Sequence, residues 1–128
     1  MDPIVDMLNR IRNAQAVLKP MVDFPYSNLK YEISRILEKE KFIQKIEKRG
    51  RKSKKIIEVT LKYEAGFPAI SGSKRISKLG QRIYTKSKGI KPVKGGYGIA
   101  IISTPEGLMT NKQARKKKLG GEIICEIW

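Results

Sequence analysis

The apolar residues of this chain come in short stretches, and the spacing within them changes from that of a helix to that of a strand. The first stretch has helical spacing, with apolar residues at Ile4, Leu8, Ile11 and Leu18. Asp2 and Pro3 suit the start of such a helix, and Pro20 is expected to end it. Residues 57–61 instead alternate apolar and polar side chains, the period of a half-buried strand. The pattern therefore predicts an α+β fold.

The rest of the first half supports this prediction. Ser27 suits the cap of a second helix, whose apolar stripe would comprise Leu29, Ile33, Ile36 and Leu37. An extended piece is predicted at 21–24 and strands at 42–48 and 56–62, with the basic residues 49–55 as the hairpin loop between the last two. The first half therefore has the predicted order α-β-α-β-β.

The second half has shorter elements. Gly66 and Pro68 mark an expected boundary between two small lobes, 1–64 and 65–128. Short strands are predicted at 69–71, 82–85, 99–103 and 122–128. Thr110 followed by Gln113 fits the capping box of a short helix that would end at the glycine pair 120–121. The second lobe is therefore expected to be mostly β with one short helix.

The charge of the chain indicates a polyanionic partner. Its 28 Lys and Arg against 12 Asp and Glu give a formal net charge of +16. No carboxylate lies between Glu64 and Glu106, and two further basic clusters lie at 49–55 and 112–118. Cations spread over three segments favour a folded body that binds RNA or DNA over a basic tail.

Catalytic, metal and membrane functions find little support. The 128 residues contain no histidine, which removes most triads and zinc sites. The single cysteine, Cys125, lies between apolar neighbours and is expected to be a buried structural thiol. No apolar run approaches the roughly 18 residues of a membrane span. The first residues lack the pattern of an export signal. We expect a protein with no cofactor, no bound metal and no enzymatic activity.

The segment 103–107, Ser-Thr-Pro-Glu-Gly, is the best candidate for RNA contact outside the basic clusters. Hydroxyls can both donate to and accept from the 2′-hydroxyls of RNA, and exposed amides can meet phosphates. An ordinary Ser/Thr-capped turn explains the same residues equally well.

Motifs along the whole chain resemble the bacterial small-subunit ribosomal protein number eight. The second half carries Ser103-Thr104, Gly107, Met109-Thr110, Ala114-Arg115 and Gly120-Gly121-Glu122, and the middle carries Lys74-Arg75-Ile76-Ser77-Lys78, Arg82-Ile83-Tyr84 and Gly98-Ile99-Ala100. The first half carries Asp2-Pro3-Ile4, Arg10-Ile11-Arg12-Asn13 and Glu40-Lys41-Phe42-Ile43.

This resemblance implies a primary rRNA-binding protein that binds the central domain of the small-subunit rRNA early in assembly. It implies an RNA-binding loop of Ser103, Thr104, Pro105 and Gly107 that enters the minor groove. Tyr84 would be the aromatic contact, Gly121 and Glu122 would lie beside the RNA, and Lys30 and Lys55 would reach phosphates. Pro105 and Glu106 depart from the family pattern, since proline lacks an amide donor and Glu106 places a carboxylate near phosphates.

The implied partners are the rRNA and neighbouring small-subunit ribosomal proteins, with the chain a monomer within the ribosome and no membrane contact. The implied location is a cytoplasmic ribosome, with a plastid ribosome as second choice. A different class of function remains open, namely a free-standing regulator that binds an mRNA imitating the rRNA site.

Overall fold

The computed structural model describes residues 2–128, and their contacts form two units. The first comprises Pro3–Ile70, and the second comprises Ser71–Trp128 together with Asp2. No helix among the described residues is long and apolar enough to cross a membrane.

The first unit pairs two helices with a three-stranded sheet. Its elements are α1 (Pro3–Ala16), β1 (Met21–Pro25), α2 (Asn28–Lys39), β2 (Ile43–Arg49) and β3 (Ile56–Leu61), followed by the small hairpin β4 (Tyr63–Glu64) and β5 (Phe67–Pro68). The sheet is antiparallel, with strand order β1-β3-β2. The predicted order α-β-α-β-β is confirmed, as is the hairpin loop, which contains a one-turn 3-10 helix at Lys52–Lys54.

Strand β3 supplies the centre of this unit's core. Its burial alternates as the sequence predicted, with Ile57, Val59 and Leu61 buried. Phe24 of β1 lies opposite Ile57 and is also fully buried. The polar face of the sheet carries the exposed ion pairs of Arg49, whose Nε lies 2.9 Å from Glu58 Oε1. One apolar and one polar face is the usual arrangement of a small antiparallel sheet.

Both predicted helices form, with corrections at their ends and faces. Ser27 caps α2, since its Oγ accepts a 3.1 Å hydrogen bond from the Lys30 amide. The predicted stripe of α2 is wrong at Leu29, which is 40% exposed. Lys30 and Ser34 are buried on this helix together with Ile33 and Leu37.

Backbone hydrogen bonds at its last turn end helix α1 before Pro20. Leu18 adopts a left-handed φ of 56°. The Leu18 amide donates to Gln15 O and the Lys19 amide to Ala14 O, at 3.0 and 2.9 Å. These are the two bonds of a Schellman motif. The prediction that Leu18 belongs to the apolar stripe is therefore wrong, and its side chain is 60% exposed.

The second unit is a sheet around one long strand. Its elements are β6 (Ser73–Arg75), β7 (Tyr84–Thr85), β8 (Ile99–Thr104), β9 (Gly107–Thr110), α3 (Asn111–Lys116) and β10 (Gly121–Ile127), with one-turn 3-10 helices at Ser87–Gly89 and Lys94–Gly96. The strand order is β6-β10-β8-β9, and β7 also pairs with β10. The expectation of a mostly β lobe with a short helix, and with it the α+β class, is confirmed.

Helix α3 covers one face of this sheet. Ala114 of α3 packs into a buried cluster with Ala100 and Ile102 of β8, and Met109 of β9 belongs to the same cluster. The predicted capping box is present, because Thr110 Oγ1 accepts from the Gln113 amide and Gln113 Oε1 accepts from the Thr110 amide. Strand β9 was missing from the sequence prediction, which assigned no strand between the loop at 103–107 and the helix at Thr110.

The predicted strand at 69–71 is not formed. Strand structure lies on either side of it, in β5 and β6. The amides of Ser71 and Gly72 both donate to the carbonyl oxygen of Trp128, at 2.6 and 3.0 Å. Two donors on one acceptor form a bend, whereas a ladder would give each residue its own partner.

The termination of α1 generates the first prediction. Replacing Leu18 with glycine should raise the free energy of unfolding by about 0.5–1 kcal/mol. Glycine removes about 1–2 kcal/mol of left-handed strain and loses part of that gain through unfolded-state entropy. Val17 is 66% exposed and lacks a positive φ, so Val17→Gly is the matched control and should lower stability. Urea unfolding measures both, and a destabilised Leu18→Gly would show that the Leu18 side chain contributes packing.

Candidate nucleic-acid interface

Three of the predicted contact residues form a row across one end of the second unit's sheet. In the strand register, Glu122 of β10 lies opposite Ser103 of β8 on one side and opposite Tyr84 of β7 on the other. Residues directly opposite in antiparallel strands project from the same face. Tyr84 is 70% exposed, while Ser103 and Glu122 are half-buried. A hydroxyl, a carboxylate and an aromatic ring therefore lie side by side.

The loop at 103–107 is a tight turn between β8 and β9. Thr104 pairs with Gly107, which leaves Pro105 and Glu106 as its two central residues. Thr104 Oγ1 donates to Gly107 O at 2.8 Å and accepts from the Glu106 amide at 3.1 Å. Gly107 has a φ of 110°, a conformation that side chains rarely permit. The Thr104 hydroxyl therefore caps this turn, one of the two roles that the sequence left open.

Ser103 differs from its neighbour. Its hydroxyl makes no hydrogen bond with any other side chain or backbone group of the described residues, and it lies at the end of the row nearest the turn. A half-buried hydroxyl without an internal partner is available to a ligand. The structure thus separates two adjacent hydroxyls that the sequence treated together.

Gly121 allows β8 and β10 to approach closely. A Cβ at this position would collide with the Ser103 carbonyl oxygen, and one at Gly120 would collide with the carbonyl oxygen of Thr85. The prediction that these glycines stop the helix is wrong. Helix α3 ends at Lys116, and Lys118 adopts the left-handed φ of 58° after it. The glycines are required where β7 and β8 flank β10.

The acidic member of the row has a cationic partner. Arg82 Nη1 lies 3.1 Å from Glu122 Oε2, and the Glu122 side chain is 18% exposed. Arg82 was not among the predicted site residues, and no local pattern links two residues 40 positions apart. Ser77 fixes the backbone of Ile83, the residue before Tyr84. Its buried Oγ accepts a hydrogen bond from the Ile83 amide at 2.8 Å and donates one to the Ile83 carbonyl oxygen at 3.2 Å.

Pro105 and Glu106, the two turn residues that depart from the family pattern, are both exposed. Glu106 Oε1 lies 3.8 Å from Lys117 Nζ, and both side chains are more than half exposed. An exposed pair at this distance adds little stability, but it places a positive charge beside the Glu106 carboxylate. Pro105 is exposed at the tip of the turn.

The remaining predicted residues, Lys30 and Lys55, belong to the first unit. Lys30 is only 6% exposed, its Nζ lies 5.7 Å from the centre of the Phe24 ring, and burial lowers its pKa. Lys55 is exposed, with its Nζ 5.8 Å from the centre of the Tyr26 ring. Lys48 lies over both Tyr26 and Tyr31, at 5.2 and 5.0 Å from the ring centres. Lys55 is therefore the more accessible of the two predicted cations.

Cys125 has the environment expected of a structural thiol. It is fully buried in β10, and burial raises its pKa to about 12. A thiol that stays protonated at neutral pH is a poor nucleophile. Among residues 2–128, no group of three or more histidine, cysteine or carboxylate side chains could hold a metal ion.

These features define a basic α+β binding protein whose exposed hydroxyl, aromatic and cationic groups suit a nucleic acid. Comparison with known proteins identifies its family. Residues 2–128 match the family described as ribosomal protein S8. The chain is 47% identical to the small ribosomal subunit protein uS8 of Petrotoga mobilis, over 99% of this chain and 98% of the relative. The proteins of the same name from Mycoplasmopsis pulmonis and Clostridioides difficile are 49% and 48% identical, over 99% of this chain and 96% and 97% of theirs.

The chain belongs to the ribosomal protein S8 family. The resemblance inferred from the motifs is thereby confirmed, together with the prediction of a ribosomal protein that is not an enzyme.

The turn generates the second prediction. Thr104→Val keeps the shape of the side chain but leaves the Glu106 amide and the Gly107 carbonyl without their partner. We expect it to lower the free energy of unfolding by about 1–3 kcal/mol. Ser103→Ala, the control, should change it by less than about 0.5 kcal/mol. Urea unfolding of both variants measures the difference, and two equally small effects would show that the Thr104 hydroxyl does not stabilise the turn.

Proposed function

We propose that this protein binds the central domain of small-subunit rRNA and helps to assemble the small ribosomal subunit. The main observation in support of this proposal is the row of Ser103, Glu122 and Tyr84 beside the capped turn. The names of its relatives, small ribosomal subunit proteins, support the assignment to that subunit. Neighbouring ribosomal proteins and a cytoplasmic ribosome complete the proposed setting, in which the chain acts as a monomer.

The row offers two kinds of RNA contact. The Ser103 hydroxyl can donate to and accept from a 2′-hydroxyl or a base edge, which suits the shallow minor groove of RNA. The exposed ring of Tyr84 offers a face on which an unstacked base can stack. Thr104, Pro105 and Gly107 act mainly by holding Ser103 at the end of β8, because their turn is closed by internal hydrogen bonds. We propose recognition of an irregular RNA helix with a displaced base.

The Glu122 carboxylate is compatible with RNA binding because a cationic side chain lies beside it. Glu122 lies in the middle of the row, where an unpaired negative charge would repel phosphates. The guanidinium of Arg82 offsets that charge at 3.1 Å and leaves other N–H groups free to donate. Gly121 contributes through its missing side chain, which allows the backbones of β8 and β10 to lie close together.

Affinity would come mainly from phosphate contacts. Each phosphate neutralised by a cation releases counterions, which gives RNA binding its dependence on salt. In the first unit, Lys55 and the hairpin loop after β2 supply exposed cations for this purpose. Lys30 would reach a phosphate only by leaving its position over Phe24.

The row generates the third prediction. Tyr84→Leu should weaken binding to a central-domain rRNA fragment by about 1–3 kcal/mol, since it removes a stacking face. Ser103→Ala should weaken it by about 0.5–1.5 kcal/mol. Phe67 is an aromatic residue of the first unit and is 74% exposed, so Phe67→Leu is the control matched to Tyr84→Leu in exposure. Filter binding or fluorescence titration at fixed salt measures all three.

The control variant, which keeps both Tyr84 and Ser103, should bind the rRNA fragment as tightly as the wild type does. Equal losses for Tyr84→Leu and Phe67→Leu would indicate that exposed aromatic residues contribute unspecifically, and would remove the row as the recognition site. Equal affinity of the wild type for the rRNA fragment and for a random RNA duplex would contradict the proposed function itself.

The hairpin loop generates the fourth prediction. Arg51→Gln combined with Lys54→Gln should weaken cognate and random RNA about equally and reduce the slope of log affinity against log salt by about one per lost phosphate contact. The matched control is Arg35→Gln with Lys39→Gln, which removes one arginine and one lysine from the exposed face of α2. A loss confined to the cognate RNA would show instead that the loop reads RNA shape or sequence.

A further inference from the structure

We propose that a second RNA contact lies on the other face of the second unit's sheet, where a basic cavity beside α3 takes one phosphate group of the RNA backbone. The proposal deepens the proposed function and rests on it. The cavity has a volume of about 170 Å³ and is open to solvent. The cavity is lined by Lys91, Lys112, Arg115 and Asn111, by the apolar side chains of Ile90 and Pro92, and by Gly95 and Gly96.

The cavity lies on the opposite face of the sheet from the row. Residues 100 and 102 of β8 project toward α3, since they share its buried cluster. Alternation along the strand places Ser103 on the other face. Lys112 and Arg115 belong to α3 itself. An RNA that contacts both sites would therefore wrap around the end of this unit.

Charge favours an anion in this cavity. Three of its lining residues are cations, and none is a carboxylate. The segments that form it, 91–96 and 111–115, contain no acidic residue at all. Lys112 Nζ donates to Gly96 O at 3.1 Å, which holds the ammonium at the wall and leaves its other N–H donors available. A buried structural role is excluded for these cations, because Lys91, Lys112 and Arg115 are exposed.

The backbone around the cavity is fixed and accessible. Asn111 is 3% exposed and links β8 to the segment that contains Lys91. Its Oδ1 accepts a hydrogen bond from the Ala100 amide at 3.1 Å, and its Nδ2 donates one to the Lys91 carbonyl oxygen at 3.3 Å. Gly95 and Gly96 have φ of 66° and 95°, and no atom lies within 4 Å of where a Cβ would stand. An oxyanion can therefore approach these glycines without a side chain in the way.

A phosphate suits this cavity better than an acidic protein segment. The cavity has room for one compact anion, and the chain's net charge of +16 is complementary to a polyanion. Arginine and lysine together are the usual phosphate partners in protein–RNA contacts.

The test compares two double variants of the full-length protein. Lys112→Gln with Arg115→Gln removes two cations of the cavity. Lys116→Gln with Lys118→Gln removes two exposed cations from the same helix and its end, neither of which lines the cavity. The first readout is the affinity for the central-domain rRNA fragment as a function of salt. The second is an NMR titration of the protein with inorganic phosphate.

The cavity variant should bind the RNA roughly tenfold more weakly than the control variant, with a salt slope reduced by about one relative to it. Inorganic phosphate should shift the amide signals of Gly95 and Gly96 in the wild type and in the control, and not in the cavity variant. Equal RNA affinities and slopes for the two double variants would overturn the proposal. Equal RNA binding with a selective loss of the cavity variant from assembled subunits would also overturn it, in favour of a protein partner.

The same experiments distinguish a failure of the proposed function from a failure of the phosphate site in the cavity. If the wild type shows no selectivity for the rRNA fragment, the proposed function fails, and the phosphate titration then decides on the cavity alone. Amide shifts that depend on Lys112 and Arg115 would support an anion site there, and their absence would overturn it.

Discussion

The backbone pairing of β10 with three other strands is the interaction on which the candidate site depends. This strand pairs with β6, β7 and β8, and its most distant partner in the chain is 54 positions away, Ser73 opposite Ile127. Its register sets Glu122 between Ser103 and Tyr84, and the close approach at Gly121 leaves no room for a side chain. A substitution that shifts the register of β10 by one residue would turn Glu122 to the face of the sheet opposite Ser103 and Tyr84.

The turn between β8 and β9 gives two adjacent hydroxyls different roles. Thr104 stabilises the turn through two internal hydrogen bonds, and Ser103 keeps its hydroxyl unused. The arrangement satisfies the backbone of the tight turn without using up the group that faces outward. A rigid end of a sheet that presents one free hydroxyl and one aromatic ring is suited to an RNA surface whose shape is itself fixed, because little conformational entropy is lost on binding.

Local patterns in the sequence predicted much of this structure, and long-range geometry accounts for what they missed. The alternation of Ile57, Val59 and Leu61 and the capping pairs at Ser27 and Thr110 are local features, and the structure confirms them. Strand β9 escaped notice because its four residues lie between a tight turn and a capping box, too few for a period to show. The end of α1 at Leu18 was missed because a leucine in the left-handed conformation has no sequence signal. The Arg82–Glu122 pair and the burial of Lys30 depend on folding partners that no spacing rule supplies.

The proposed function requires the row formed by Ser103, Glu122 and Tyr84 to face the rRNA. Ultraviolet crosslinking of the protein to a central-domain rRNA fragment, followed by mass spectrometry of the crosslinked peptides, tests this orientation. We expect crosslinks at Tyr84 and in the peptide that contains Ser103, and none at Phe67, an aromatic residue of the first unit that is similarly exposed. Crosslinks at Phe67 or in the hairpin loop without any at Tyr84 would contradict this orientation and place RNA recognition elsewhere on the protein.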